Sequence, residues 1–363
     1  MRKPPYPRLR DRRLAAVATV AIIFALLAGL VTSARADLLP LTADQRRIFY
    51  GSAEDKLDKK PCVGTKKRVM LTCKDSRHYV RMNEWYHQLW RPYIKGIGGG
   101  YVGVASDQGL TFIAWARSEF AWQMDYDPVV VIVNRVHKAL IKASPTIEAY
   151  LALWERKNAK QALAAIDKEY ASRRDIRLIK TIYRRYRLEI RGAIRRAMRQ
   201  KRRQRSYWLH DAGDYAYIRK MHELDRIRIM GGDLLKNKSL IGIGETARKL
   251  GIKMRVIYTS NAEEFWPFPK TFKENFIKMP MDEKTVVLRT RHSSKYGPQI
   301  GSYVYIVQAG LDMQRQLKDR QTKGLWVMLR YRRAGKPGFF TIGRDPLPES
   351  MLKVPARRGG KKR

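Results

Sequence analysis

Four short clusters hold most of the residues with which this chain could do chemistry: Ser106-Asp107-Gln108, Asp125 with Asp127, Ser260-Asn261-Ala262-Glu263, and Arg289-Thr290-Arg291-His292. Asp125 stands about 20 residues beyond the first cluster, the interval at which an acid meets the ribose hydroxyls of a nucleoside in dinucleotide-binding folds. A carboxylate accepts two hydrogen bonds from a vicinal diol, so Ser106, Asp107, Gln108, Asp125 and Asp127 form the candidate cofactor-binding set. Asn261, Glu263 and His292 form the candidate catalytic set, His292 being the histidine best placed for acid–base work. Asp125-x-Asp127 also spells the acidic pair that shares a divalent cation beside a sugar nucleotide. Hydrolysis has little to work with: neither a G-x-S-x-G elbow nor an HExxH pair is present. Any one of these clusters, His292 included, also reads as an ordinary polar turn; it is the four together that suggest a site.

What would gather them is the order of elements. Tyr101–Ala105 reads as a short buried strand, 110–117 as a helix, Phe120–Met124 as a second strand, and Pro128 opens a helix through VVVIVNRVHKALI. The alternation resumes with a helix over 239–250, a strand over 253–258, a helix over 272–278, and strands over 285–288 and 303–307. The segments LWVMLRYRR and GFFTIG suggest a C-terminal hairpin. Strand–helix alternation at this spacing predicts an α/β fold with a Rossmann-like, mostly parallel sheet, and ligands there bind outside the carboxyl ends of the strands. Before it, TADQRRIFYG offers a capped helix start at Thr42, and apolar residues from Tyr79 to Trp90 recur at helical spacing. The expected organisation is an N-terminal cap over 37–95, a Rossmann-like domain over 96–320 with a basic helical insertion at 145–230, a hairpin over 321–355 and a basic tail over 356–363.

At these residues the chain resembles a known family. GGGYVGVASDQ, MDYDPVV, YTSNAEEFW with FKENF, and VVLRT are similar to an uncharacterised bacterial family with the fold of S-adenosylmethionine-dependent methyltransferases. The resemblance covers roughly 98–140 and 232–308. It implies Asp107 and Asp125 at the cofactor edge, Asn261–Glu263 on the substrate side, S-adenosylmethionine as the cofactor and a methyltransferase-like transferase as the activity. The chain departs from that pattern in its glycines: Gly96, Gly98, Gly99 and Gly100 precede the first strand, and only Gly109 follows it.

Charge and targeting signals point elsewhere. The 363 residues contain 75 Lys+Arg against 33 Asp+Glu, a formal net charge of +42. A basic run over 2–13, the apolar run 14–31 and Ala34-x-Ala36 spell a secretory signal peptide over 1–36, or an uncleaved anchor at 14–31. That predicts an exported protein, periplasmic or extracellular, in which Cys62 and Cys73 can form a disulfide. Between Ala171 and Ser206 lie 15 Lys/Arg and two acids, with Ile179, Ile182, Tyr186, Ile190 and Ile194 on the opposite helical face. Arg184, Arg185, Arg195, Arg196, Arg202 and Arg203 are the candidate polyanion-binding residues. An alternative reading follows, a non-catalytic envelope protein that holds an anionic polymer or membrane surface, with Ile182, Tyr186 and Ile190 against the lipid. Export argues against genomic nucleic acid as the partner.

Overall fold

The computed structural model describes residues 38–58, 78–200, 206–292, 299–334 and 336–343. Residues 1–36, expected from the sequence to be a signal peptide or anchor, together with Cys62, Cys73, Arg202, Arg203 and the tail over 356–363 lie outside them. In chain order the helices are α1 (Ala43–Tyr50), α2 (Arg91–Ile94), α3 (Gln108–Ala116), α4 (Pro128–Lys142), α5 (Ile147–Ala152), α6 (Ala159–Tyr170), α7 (Ile176–Arg199), α8 (Ala212–Glu223), α9 (Ser239–Lys249), α10 (Lys270–Ile277), α11 (Gly310–Lys318) and α12 (Leu325–Met328). The strands are β1 (Gly100–Gly103), β2 (Phe120–Asp125), β3 (Ile227–Gly231), β4 (Met254–Ser260), β5 (Val286–Arg291), β6 (Val304–Ala309), β7 (Arg332–Ala334) and β8 (Phe339–Ile342).

All eight strands form one sheet in the order β3-β2-β1-β4-β5-β6-β8-β7. β3, β2, β1, β4 and β5 run parallel. β6 turns antiparallel to β5, β8 runs parallel to β6, and β7 closes antiparallel to β8. Its parallel half is a Rossmann-like α/β fold, and the strand order reverses between β1 and β4. Both faces of that half are covered, which is why β1 and β2 are buried at every position and read as apolar runs, not as alternation. On one face Val102, Trp122, Met124, Ile257 and Val287 join the core with residues from α9, α10 and α11. Thr42 and Gln45 form a reciprocal capping box that starts α1, and α1 delivers Phe49 edge-on to Phe120 and Trp122 at 5.1 and 4.9 Å.

Several sequence expectations are corrected. Residues 79–90 form no long helix: 78–86 run as an extended strap, followed by one 3-10 turn (His87–Leu89) and α2. Of the residues at helical spacing Met82 and Trp90 are buried, Trp85 and Tyr86 are half-buried and Tyr79 is exposed, so the spacing does not mark one buried helical face. The helical stretch 145–230 ends in a strand, since Ile227–Gly231 pairs with β2 and makes α4–α8 a long crossover. LWVM is the helix α12, not a strand, and the C-terminal hairpin is β7–β8, built into the main sheet through β6. α11 went unanticipated: its apolar positions are sparse, and polar Asp312 and Gln316 are buried beside Met313 and Leu317. His137 is buried on α4, with Nδ1 2.7 Å from the Tyr150 hydroxyl.

Candidate functional site

The backbone is strained where the strand order reverses. Ala105, just past β1, has φ +76, and Ser260, at the end of β4, has φ +53. Both are non-glycine residues in the left-handed region, which costs of order 1 kcal/mol or more for each and clusters at functional sites. Hydrogen bonds hold the first of them: the Ala105 N–H donates to Asp125 Oδ2 at 2.8 Å, and Asn134 Nδ2 donates to the Ala105 carbonyl at 3.0 Å. Ala105 thus makes the turn that a glycine makes in most such folds. The glycines have other duties. A Cβ at Gly103 or Gly109 would strike the Tyr101 hydroxyl, and Gly96, Gly98 and Gly99 take positive φ in the turn before β1, at the other end of the strand.

Over this edge lies a cleft of about 1040 Å³, the size of a small-molecule site. Gln108, Asp125, Asp127, Asn261 and His292 of the two candidate sets line it. Each carboxylate oxygen of Asp125 accepts a backbone N–H, Oδ2 from Ala105 and Oδ1 from Asp127 at 2.8 Å. These two bonds fix the orientation of the Asp125 carboxylate at the end of β2. Asn261 Nδ2 donates to Glu264 Oε1 at 2.8 Å, and Glu264 Oε2 accepts the His292 N–H at 3.0 Å. The cleft wall is further built by Tyr79, Tyr126, Phe265, Trp266 and Tyr303, of which Phe265 is 70% exposed.

Ser106, Asp107 and Glu263 do not line the cleft. The Ser106 hydroxyl donates to the Val80 carbonyl, and the Asp107 carboxylate takes the hydroxyl of buried Tyr207. Glu263 is fully buried behind β4, accepts from Thr259 at 2.6 Å, and lies 3.2 Å from the equally buried Arg289 guanidinium. Neighbours in sequence face opposite ways here, and the first residues of a helix turn away from the strand edge. The Asp125-x-Asp127 metal reading fares no better: Asp127 Oδ2 sits 2.7 Å from His78 Nδ1, and its Oδ1 caps α4 by accepting the Val129 N–H. Among the described residues no group of three or more His, Cys, Asp or Glu is arranged to hold a metal.

Three helix N-termini face the parallel edge, and each is associated with a carboxylate. Asp107 is the N-cap residue of α3 and Asp127 that of α4. Asp55 accepts the Lys238 and Ser239 N–H groups at the start of α9. Helix N-termini bind phosphate through free N–H groups and positive potential; here carboxylates accept N–H groups at the starts of α4 and α9, while the Asp107 carboxylate at α3 turns to Tyr207.

Sequence reasoning missed Glu84. The strap carries it under the cleft, fully buried, where it accepts hydrogen bonds from Tyr258 (2.8 Å), Ser260 (2.7 Å) and Thr290 (2.6 Å). Burial pushes its carboxyl above the ordinary range, against the pull of those three hydroxyls. Gln108 Nε2 donates to the Tyr258 hydroxyl, so the network ties the strap to β4, β5 and α3. Asn83 donates to the Tyr303 hydroxyl and the Trp85 and Tyr86 N–H groups to that of Tyr305, which fastens the rest of the strap. The only sequence signal was an acid among aromatics in MNEWYH.

α7 also corrects an expectation. Ile182 and Ile190 are buried against the protein, so they are not available to a lipid surface. Arg184, Arg185, Arg195 and Arg196 are exposed. No helix among the described residues is long and apolar enough to cross a membrane.

No curated protein matches the chain. Among solved structures it is similar to the rRNA methyltransferase AviRa from Streptomyces viridochromogenes, at 13% identity over 63% of this chain and 84% of that one, with a TM-score of 0.32. The match that identifies it is in sequence: over residues 79–342, from the strap through the last strand, the chain belongs to the family described as Domain of unknown function DUF7790.

Proposed function

We propose that the cleft binds a small nucleoside-type ligand that carries no phosphate, with Asp125 as the acceptor for its ribose diol. One observation carries this reading: Asp125 ends β2 at the mouth of the cleft, oriented by two backbone N–H bonds. The phosphate-free character follows from charge. Asp125, Asp127, Asp233 and Glu264 line the cleft against the single guanidinium of Arg81, and Asp127 and Asp55 accept N–H groups at the starts of α4 and α9. In a protein of net charge +42 such a cleft favours a neutral or cationic ligand over a nucleotide.

S-adenosylmethionine, the cofactor implied by the resemblance, fits these requirements: it has a ribose diol, a positive sulfonium and no phosphate. Bound, it would supply an activated methyl group. Asp125 would hold the diol, Gln108 and the Ala105 turn would border the nucleoside, and Asn261, oriented by Glu264, would face a second substrate together with His292. The transferase reading rests on that arrangement, while Glu263 is better understood as the structural partner of Arg289. Exported location stays part of the proposal as an expectation from the leader.

Calorimetric titration with adenosine, S-adenosylhomocysteine and adenosine 5′-monophosphate tests the reading. The two phosphate-free ligands should bind at least tenfold more tightly than the monophosphate. Equal or tighter binding of the monophosphate, or no binding of either phosphate-free nucleoside, overturns it.

A further inference from the structure

We propose that the outer face of α7 is a docking surface for an extended polyphosphodiester chain without bases, such as a poly(glycerol phosphate). Arg177, Arg184, Arg185, Arg196 and Arg199 are exposed, and none of them meets a carboxylate among the described residues. At 3.6 residues per turn and 1.5 Å per residue, the five lie within an arc of about 120° and along about 33 Å of helix. The one acid of α7, Glu189, is taken by Arg81 at 3.0 Å. The result is a band of guanidinium groups along the helix, all arginine, and arginine is the side chain that grips phosphate oxygens in pairs.

The shape of this face selects the partner. A bilayer needs a group of apolar residues to bury; the apolar side of α7 (Ile179, Ile182, Ile190, Ile194) is already packed inside the protein, and the outer arc offers Leu188 alone, 62% exposed. A polynucleotide strand gains much of its affinity from stacking on exposed rings, and the arc carries none. A linear phosphate chain needs only the row of charges. Gly192 adds an independent point. It interrupts a 24-residue helix at a position where glycine is unfavourable, and a Cβ there would meet nothing within 4 Å. Packing inside the protein therefore does not call for it, whereas a chain laid along the arc gains close approach to the backbone at the middle of the row.

The test is binding of fluorescently labelled poly(glycerol phosphate) to the purified protein across a salt series, with unlabelled oligothymidylate and phosphatidylglycerol vesicles as competitors. Five neutralised phosphates give a log–log salt slope of about −3.5, using about −0.7 per phosphate for a single strand. Arg184→Gln/Arg185→Gln/Arg199→Gln should make it shallower by about 2, while Arg-to-Lys at the same three positions keeps the slope and Asp125→Asn changes nothing. Gly192→Phe should weaken binding at least tenfold at constant slope. A slope unmoved by the triple Gln variant, with its circular dichroism intact, overturns the proposal. So does tighter competition, phosphate for phosphate, by vesicles (a membrane surface) or by oligothymidylate (base recognition), or full affinity in Gly192→Phe.

Discussion

Replacing Glu84 tests whether the strap is an integral wall of the cleft. Glu84→Ala strands the hydroxyls of Tyr258, Ser260 and Thr290 in a buried setting, and a stranded buried polar group costs about 1–3 kcal/mol. Hydroxyls rotate, and removing a buried carboxyl returns some of its desolvation cost, so the net loss should be about 3–5 kcal/mol. Glu84→Gln keeps the shape and an acceptor oxygen, and should stay within about 1–2 kcal/mol of the parent. The pH dependence follows from the raised pKa. The folded state holds the proton more tightly than the unfolded chain, so Glu84 favours folding most below the ordinary carboxylate range. That contribution fades as pH rises through the raised value, and Glu84→Gln removes the fade. Urea unfolding gives the stabilities, and hydrogen exchange at the Trp85 and Tyr86 amides, both bonded to Tyr305, reports the strap. A Glu84→Ala protein within 1 kcal/mol of the parent, with those amides still protected, would refute the argument.

Ala105→Gly should raise stability by about 0.5–1 kcal/mol, because glycine adopts φ +76 without the strain that alanine carries; a lower melting temperature would contradict it. Burial lowers the pKa of His137 and His222 and takes that of His87 to about 3. Each takes up its proton less readily in the fold than in the unfolded chain, where histidine protonates near 6.5, so their contribution is full above pH 6.5 and falls as pH drops, for His87 down to about 3. For His87 the loss should approach about 1.4 kcal/mol per pH unit below 6.5, and a stability that stays flat from pH 7 to 5 and does not change in slope in His87→Phe would contradict it. Arg289→Met leaves Glu263 buried without its guanidinium, at a cost of about 3–5 kcal/mol. Arg289→Met with Glu263→Leu should recover much of it in denaturant unfolding, and a double variant no better than the single one would count against the pair.

The parallel half of the fold was legible because its strands are apolar runs and its helices begin at recognisable caps, Pro128 behind Asp127 being the clearest. The C-terminal half was harder: β7 and α12 are three and four residues long, too short for periodicity to separate strand from helix. The strap misled for a different reason. Tyr79, Met82, Trp85 and Trp90 sit at helical intervals, yet their partners are spread over the sheet edge, as with the Trp90 indole that donates to the Ile306 carbonyl. Proximity along the chain also overstated the site. Asp107 and Gln108 are adjacent, but the first turns to Tyr207 and the second to Tyr258 beside the cleft. Glu84 depends on contacts more than 170 residues away, which no local pattern encodes.

The account turns on Asp125 as the acceptor of a ribose diol. Calorimetric affinities of adenosine and 2′,3′-dideoxyadenosine for the parent protein and for Asp125→Asn measure this directly. The parent should prefer the diol by at least tenfold, and the preference should vanish in the variant, with circular dichroism showing the same fold. The same preference in both proteins, or none in either, would contradict it.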